Sequence, residues 1–173
     1  MERHFDEDEL IVSKTDTRGI ITYANDLFLS LARLEEEETI GQPHNVIRHP
    51  DMPMAVFKLL WDTLRERQEI FAYILNLASD GAHYWVLAHV TPSLDARGQV
   101  TGYHSNRRKP ARGAVEAATG LYRRLRAEER RHQRTPDALE ASTTLMRQTL
   151  AERGQTYDEF VWDLTAGRSS ITT

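Results

Sequence analysis

The chain has 173 residues, of which 40% are hydrophobic and 28% are charged, a balance typical of globular proteins. Its formal net charge of −4 gives no general reason to expect binding to nucleic acid or to an anionic membrane. The absence of cysteine excludes disulfide bridges, thiolate zinc sites, iron–sulfur clusters and a cysteine nucleophile. No apolar run reaches the ~20 residues of a membrane span, and the acidic start lacks a signal-peptide core. We therefore expect a soluble cytoplasmic protein.

The first hundred residues predict a mixture of strands and helices. Two short strands, 10–14 and 20–24, flank the turn "TDTRG", whose Asp and Gly suit a tight reversal. Asn25 is placed to cap the next helix, and residues 52–67 carry the clearest apolar helical stripe. Period-two runs then predict three strands, at 69–79, 82–92 and 100–108. This order favours an α+β fold, a five-stranded antiparallel sheet with short helices over one face.

The pattern changes at "KPARGA", where Pro and Gly stand close together. Apolar residues then recur at helical spacing, and they predict helices at about 113–133, 137–153 and 156–164. We therefore divide the chain into an acidic N-terminal segment, an α+β domain, a C-terminal helical extension and a flexible tail. Their predicted limits are 1–9, 10–110, 111–166 and 167–173.

The two long predicted strands are apolar on both faces, whereas a sheet with one solvated face should alternate apolar and polar residues. We therefore predict that short helices cover one face, and that the later helices or a second copy of the chain cover the other. Asn76 is the polar member of a row that otherwise holds Ile70, Ala72 and Ile74. A buried amide needs partners, so Asn76 is either a core residue bonded to the backbone or a contact for a planar polar ligand.

Four strings, "GIITYAND", "GQPHNVIRHPDMP", "DGAHYWVLAHVTP" and "GQVTGYHSNRRKP", together resemble a PAS domain. More narrowly, they resemble the FAD-binding PAS sensor of bacterial aerotaxis receptors, over about residues 10–110. The resemblance implies the PAS fold, with FAD held between the sheet and its short helices as a redox or oxygen sensor. It implies no catalytic turnover, so we do not expect an enzyme. A cysteinyl photoadduct of the flavin is excluded because the chain has no cysteine.

The resemblance also implies where FAD binds. Arginine can bind phosphate through paired hydrogen bonds, so Arg48 and His49 are expected at the phosphates or adenine, with Asp51 orienting them. Asn76 is expected at the edge of the isoalloxazine ring, and Arg107 near its N5/O4 edge. The full set of predicted cofactor-binding residues is Asn25, Arg48, His49, Asp51, Phe57, Asn76 and Arg107.

The chain departs from the family at two places. Ile70 stands where the family usually has tryptophan, and "NLASDG" replaces a basic run, Asn-Arg-Arg-Lys-Asn-Gly. If that run helps to hold the diphosphate, FAD binding is weaker, and FMN or no cofactor becomes the alternative. From the residues given, we expect no HAMP-like segment, membrane anchor, methyl-accepting hairpin or kinase. We therefore expect a homodimer that signals in trans, through its sheet and C-terminal helices, to a chemoreceptor or a kinase.

Other interpretations of the sequence remain. A haem-binding gas sensor would use one of His49, His83, His89 or His104 as its axial ligand, although no two histidines show the helical spacing of a zinc site. The arginine run at 122–134 is interrupted by Glu128 and Glu129, which favours a solvated helix face with internal ion pairs over a nucleic-acid site. No catalytic motif appears. The remaining alternative is a cofactor-free PAS module for dimerisation or scaffolding.

Overall fold

The computed structural model describes residues 1–167. These residues form two compact units, one made of 1–49 with 62–109 and the other of 50–61 with the chain from 110 onward. We call them the sheet unit and the helical unit. The compact units are not continuous in sequence, since residues 50–61 group with the later helices. The predicted domain limits 10–110 and 111–166 stay predictions. The predicted flexible tail, 167–173, lies outside the described residues except for Gly167.

The sheet unit contains five antiparallel strands, in the spatial order β2-β1-β5-β4-β3. The last strand therefore lies in the centre, between β1 and β4. The strands are β1 Ile11–Thr15, β2 Ile21–Ala24, β3 Ile70–Leu77, β4 His83–Leu94 and β5 Val100–Arg108. Two turns form as predicted: Gly19 and Gly81 both adopt positive φ, at 81° and 83°, where glycine has no Cβ penalty.

Short helices follow β2. They are α1 Asp26–Ala32, α2 Glu36–Thr39 and a 3-10 helix at His44–Ile47. Asn25 caps α1 as predicted, because its Oδ1 accepts the Phe28 N–H at 3.1 Å. The same side chain accepts the Val12 N–H and donates to the Leu10 carbonyl, so it also fixes the corner between β1 and α1.

Strand register separates the two faces of the sheet. Ser13 pairs with Ser105, Ala88 with Arg107, and Asn76 with Tyr84, so these residues share one face, which we call the inner face. It is buried along its length. On the outer face Tyr73 is buried, whereas Phe71 is 37% exposed and stacks on His89. The short helices and the rest of one chain thus leave Phe71 partly exposed on the outer face, and cover of that face by a second copy of the chain stays a prediction.

The N-terminal segment is ordered against the sheet unit. The Arg3 N–H donates to the His83 carbonyl, and the Arg3 guanidinium reaches both the Leu31 carbonyl and Asp80. Phe5 is buried. Residues 1–9, which were predicted only as an acidic segment, thus join α1 to the β3–β4 turn.

The helical unit consists of the first part of α3 and three further helices. Its elements are α3 Met54–Arg65, of which residues 62–65 belong to the sheet unit, α4 Arg112–Glu129, α5 Thr135–Ala151 and α6 Tyr157–Thr165. α4 packs against both α5 and α6. Pro136 lies in the first turn of α5, and Thr156 with Glu159 forms a capping box at the start of α6. Across residues 1–167, no helix is long and apolar enough to cross a membrane.

The predicted solvated, ion-paired face of α4 is correct for Glu128, whereas Glu129 has the predicted internal ion pair, with Arg126, but is not solvated. Glu128 pairs with Arg131 and His132, as the charge pattern indicated. Glu129 is instead 3% exposed. Its carboxylate bonds to Arg126, to Ser142 and to the Met54 N–H, because the helix turns this residue toward α5 and the start of α3.

Candidate ligand site on the inner face of the sheet

Arg107 is the centre of a polar cluster on the inner face. It is 4% exposed, and its Nη2 donates to Ser13 Oγ at 2.7 Å and to His44 Nε2 at 2.6 Å. The guanidinium carbon lies 5.5 Å from the ring centroid of Phe28, within cation–π range. No carboxylate in residues 1–167 forms an ion pair with Arg107. The fold therefore buries a cation on neutral partners only, which is costly unless something else stabilises the charge.

Ionisation at the cluster follows from its burial. Burial lowers the pKa of Arg107 to about 10, against an opposite contribution from Tyr84, so the guanidinium stays charged at neutral pH. Burial and, secondarily, the charge of Arg107 lower the pKa of His44 to about 3. His44 as a whole residue is half-buried, so the adjacent cation is the firmer reason for a neutral ring. Since Nε2 accepts from Arg107, the ring proton lies on Nδ1.

Four buried polar atoms of this face have no hydrogen-bond partner within residues 1–167. They are Asn76 Nδ2, Tyr84 OH, Ser105 Oγ and Arg107 Nη1. Buried polar groups normally find partners, and each one left without costs about 1–3 kcal/mol. Only two further such atoms occur in the described chain, Arg126 Nε and Thr149 Oγ1, and both belong to the helical unit. The concentration on one face indicates that these groups face a polar ligand or ordered water.

Arg48 and His49 run beside the β3 end of this face. Arg48 forms a backbone bridge with Asn76, and the His49 N–H donates to the Leu75 carbonyl at 3.4 Å. The His49 ring meets the His83 ring edge to face, with centroids 6.0 Å apart. Backbone pairing therefore brings three predicted site residues close together: Arg48, His49 and Asn76.

The other predicted site residues have different positions. Arg107 lies on the same face as Asn76, and Asn25 uses its side chain for the α1 cap. Asp51 and Phe57 belong to the helical unit. Of the histidines considered for haem, His89 and His104 lie on the outer face, opposite Arg107. No group of three potential metal-binding side chains occurs in residues 1–167.

Five residues of the cluster were not predicted: Ser13, Phe28, His44, Tyr84 and Ser105. His44 stands inside the string that carried the resemblance, "PHNVIRHPDMP", and was available from the sequence. Tyr84 was placed in a row with Val86 and Ala88, so its hydroxyl was taken as part of an apolar face. The two serines give no signal, because an inward serine in a strand looks like a solvated one.

Known proteins place this chain in a family. The model of the PAS fold matches residues 11–105, more than half of the chain. The chain belongs to the PAS fold family. The predicted family and the predicted α+β fold with a C-terminal helical extension are thereby confirmed.

Three similar proteins show how far the relationship extends. The chain is 37% identical over 121 residues to the aerotaxis receptor of Escherichia coli (strain K12), covering 70% of this chain and 24% of that receptor. It thus spans about a quarter of the relative. The light state structure of the blue-light photoreceptor Aureochrome1 LOV matches with a TM-score of 0.58 at 18% identity, over 64% of this chain and 88% of that one. A Light-Oxygen-Voltage domain studied with a flavin analogue matches with a TM-score of 0.55 at 20% identity, over 69% and 87%. These two structures show the fold alone.

Proposed function

We propose that this PAS domain is a sensor that binds a flavin, FAD in the first instance, on the inner face of its sheet, and that it has no catalytic turnover. The observation that carries the proposal is the set of four buried polar atoms without partners around Arg107. The similarity to an aerotaxis receptor and the flavin analogue studied in a domain of the same fold support the choice of flavin.

The chemistry of the cluster fits a flavin. The isoalloxazine ring presents carbonyl oxygens and ring nitrogens, so it is rich in acceptors. The uncommitted atoms supply two donors, Asn76 Nδ2 and Arg107 Nη1, and two hydroxyls that can donate or accept, on Tyr84 and Ser105. A bond from a charged donor such as Arg107 is about twice as strong as a neutral one. The set therefore suits a planar, acceptor-rich and electron-accepting ring.

The chain's own residues have defined roles in this proposal. Ser13 and His44 both accept from Nη2 of Arg107. Because the guanidinium is planar and rigid, these two bonds also fix the orientation of Nη1, which remains available to bond to a ligand. A neutral His44 accepts a hydrogen bond from Arg107 and leaves the positive charge of the guanidinium uncompensated. A bound flavin would supply reversible electron acceptance. Arg107 is the residue best suited to respond, because its charge has no carboxylate partner in residues 1–167.

Arg48 and His49 are proposed for the FAD phosphates or adenine, with Asp51 orienting them, and Asn25 and Phe57 as further contacts. Arg48 and His49 follow the edge of β3, where the family's basic run is replaced by Leu77, Ala78 and Ser79. We therefore expect Arg48→Ala and His49→Ala to lose FAD more readily than they lose a flavin without the adenosine diphosphate.

One absorption spectrum of the purified protein tests the proposal. We expect a yellow protein whose oxidised-flavin bands bleach with dithionite, and mass analysis of the released compound separates FAD from FMN. A red protein with a Soret band would select a haem sensor instead. A colourless protein that also fails to bind added FAD would overturn the proposal and leave the cofactor-free dimerisation or scaffold module.

A matched pair of substitutions locates the site. Asn76→Ala removes an inner-face donor and should weaken flavin binding roughly 3- to 10-fold, the value of one neutral hydrogen bond. Asn106→Ala alters the same residue type on the outer face, where Asn106 bonds to His104, and should leave affinity unchanged. Equal losses in the two variants would contradict a site on the inner face.

We also propose that the chain forms a homodimer and signals to a partner protein, a chemoreceptor or a kinase, in trans. The support is its similarity to a receptor of which it spans about a quarter. Light scattering coupled to size exclusion, with oxidised and reduced protein, measures the oligomeric state directly. A monomer in both states would contradict the dimer.

A further inference from the structure

One carboxylate ties the end of the "RHPDMP" segment to two helices of the extension. The Glu129 side chain is 1% exposed. Its Oε1 accepts the Met54 N–H and the Ser142 hydroxyl, both at 2.7 Å. Its Oε2 accepts from Arg126 Nη1 at 2.6 Å. Three helices, α3, α4 and α5, therefore meet at a single buried charge.

The bond to Met54 serves as a helix cap supplied from elsewhere in the chain. Met54 is the first residue of α3, and Pro53 before it has no hydroxyl, amide or carboxylate with which to cap. The first N–H groups of a helix need acceptors, and a carboxylate also interacts favourably with the positive end of the helix dipole. Glu129 supplies that acceptor from 75 residues away. The start of α3 cannot move relative to α4 without breaking this bond.

The position of Met54 makes the cap functionally relevant. Only four residues, 50–53, separate it from His49, and that short segment contains the proposed cofactor contact Asp51. Any displacement of the segment on a change at the ligand must be absorbed within these residues or passed to Met54. Pro50 and Pro53 have fixed φ, so the segment has little freedom to absorb it.

We propose that Glu129 is a positioning residue that couples the state of the ligand-binding segment to α5, through the Met54 N–H on one side and the Ser142 hydroxyl on the other. Both donors share the same oxygen, so strengthening or loss of one bond changes the acceptor available to the other. This inference rests on the proposed function, because it takes a bound ligand at residues 48–51 as the source of the change.

The neighbouring residue provides a matched control. Glu128 lies one position earlier on α4, with a side chain 23% exposed that bonds to Arg131 and His132. Glu128→Gln removes a charge from the same turn without touching α3 or α5. Ser142→Ala removes only the α5 bond and keeps the buried ion pair, so the folded helical unit is retained. Glu129→Gln keeps an acceptor for Met54 and removes the charge that Arg126 holds.

The test is amide hydrogen exchange of the full chain with FAD bound, oxidised and after dithionite reduction. In the unmodified chain and in Glu128→Gln, we expect reduction to change exchange both at residues 48–56 and in α5. In Ser142→Ala, the change at 48–56 should persist while the change in α5 falls at least 3-fold. Glu129→Gln, whose amide oxygen can still accept from the Met54 N–H and the Ser142 hydroxyl, should keep more of the α5 change than Ser142→Ala does. A purely structural role would shift baseline exchange equally in both redox states and leave the difference intact.

The outcomes separate the two proposals. If the flavin binds and α5 responds equally in Ser142→Ala and the unmodified chain, or does not respond in the unmodified chain, the coupling is wrong and the flavin site stands. If no flavin binds, the ligand-free proteins still decide the coupling. Ser142→Ala should then alter the exchange rate of the Met54 amide, measured by NMR, at least 3-fold more than Glu128→Gln does. Equal rates in these two variants would overturn the coupling.

Discussion

Within residues 1–167, each of the two units buries one charged side chain, and the two charges differ in how many hydrogen bonds they form. Arg107 in the sheet unit and Glu129 in the helical unit are 4% and 3% exposed. Glu129 accepts from a guanidinium, a hydroxyl and a backbone N–H, so both carboxylate oxygens are used. Arg107 has two neutral partners, and its Nη1 has none among residues 1–167. A carboxylate whose two oxygens are both bonded holds helices together, whereas a cation with an unused donor is what a binding site presents.

Replacing Glu129 should have the largest effect on stability. Glu129→Ala removes three hydrogen bonds and leaves Arg126 without its ion-pair partner, a change that typically costs about 3–5 kcal/mol for a buried pair. Urea unfolding followed by circular dichroism measures the loss. Glu128→Ala, which breaks only solvent-exposed ion pairs to Arg131 and His132, should cost much less, because water screens such pairs. If both variants lose the same stability, the Glu129 centre is not the complete one inferred here.

Replacing Arg107 should have the opposite pattern: little effect on stability and a large effect on flavin affinity. Arg107→Met exchanges a buried cation without a carboxylate partner for an apolar side chain, and Ser13 Oγ and His44 Nε2, 3.1 Å apart, can still bond to each other. We expect ligand-free stability to stay within about 1 kcal/mol or to rise. Flavin affinity should fall about 10- to 100-fold, since a charge-assisted bond contributes about 1.5–3 kcal/mol. Fluorescence titration gives the affinity, and a destabilised variant with unchanged affinity would contradict the comparison.

The neutral state of His44 gives the sheet unit a pH dependence. The folded pKa of His44 is about 3, below the ordinary 6.5. Between these values the unfolded chain binds a proton that the folded chain does not. Stability therefore rises with pH up to about 6.5 and is lost as pH falls below it, with a ceiling of about 1.4 kcal/mol per pH unit. Because His44 is half-buried, the slope should be smaller than this ceiling.

His44→Gln isolates this contribution, because the amide oxygen of Gln can still accept from Arg107 and does not titrate. Stability measured by urea unfolding at pH 5.5, 6.0 and 7.0 should rise less steeply in the variant than in the unmodified chain. Identical slopes would show that His44 is not held neutral by Arg107 and by its burial.

The fold was predictable from local signals, and the two charged centres were not. Strand alternation, the "TDTRG" and "DG" turns and the Asn25 cap each depend on residues close in sequence, so the order of elements followed from them. The string around residues 45–53 also carried the resemblance from which Arg48 and His49 were assigned to a ligand site. By contrast, Glu128 and Glu129 stand in the same arginine-rich run with the same charge. Which one is buried depends on Met54 and Ser142, which the sequence does not bring together.

The inner-face cluster shows the same limit. Asn76 and Arg107 were predicted from the resemblance, but His44 and Tyr84 were not, since the partners of His44, Ser13 and Arg107, come from β1 and β5, and the Tyr84 hydroxyl has none in residues 1–167. The row of Tyr84, Val86 and Ala88 is apolar by composition, and only strand pairing sets the Tyr84 hydroxyl among uncommitted donors. Sequence periodicity assigns a face to each residue, and the contacts across that face depend on the tertiary fold.

The smallest expected effect compares one tyrosine from each unit. Tyr84 OH has no hydrogen-bond partner in residues 1–167, and burial raises the pKa of Tyr84 to about 12. Tyr157 OH bonds to Tyr122 OH at 2.7 Å. Tyr84→Phe should therefore leave ligand-free stability unchanged or slightly higher, whereas Tyr157→Phe should cost about 1 kcal/mol, the net value of a typical hydrogen bond. Urea midpoints of the two ligand-free variants test this directly.

Flavin affinity should respond the other way: Tyr84→Phe should weaken flavin binding and Tyr157→Phe should not, because only Tyr84 can lose a ligand contact. A Tyr84→Phe protein that is less stable without ligand would mean that its hydroxyl belongs to a completed centre like that of Glu129.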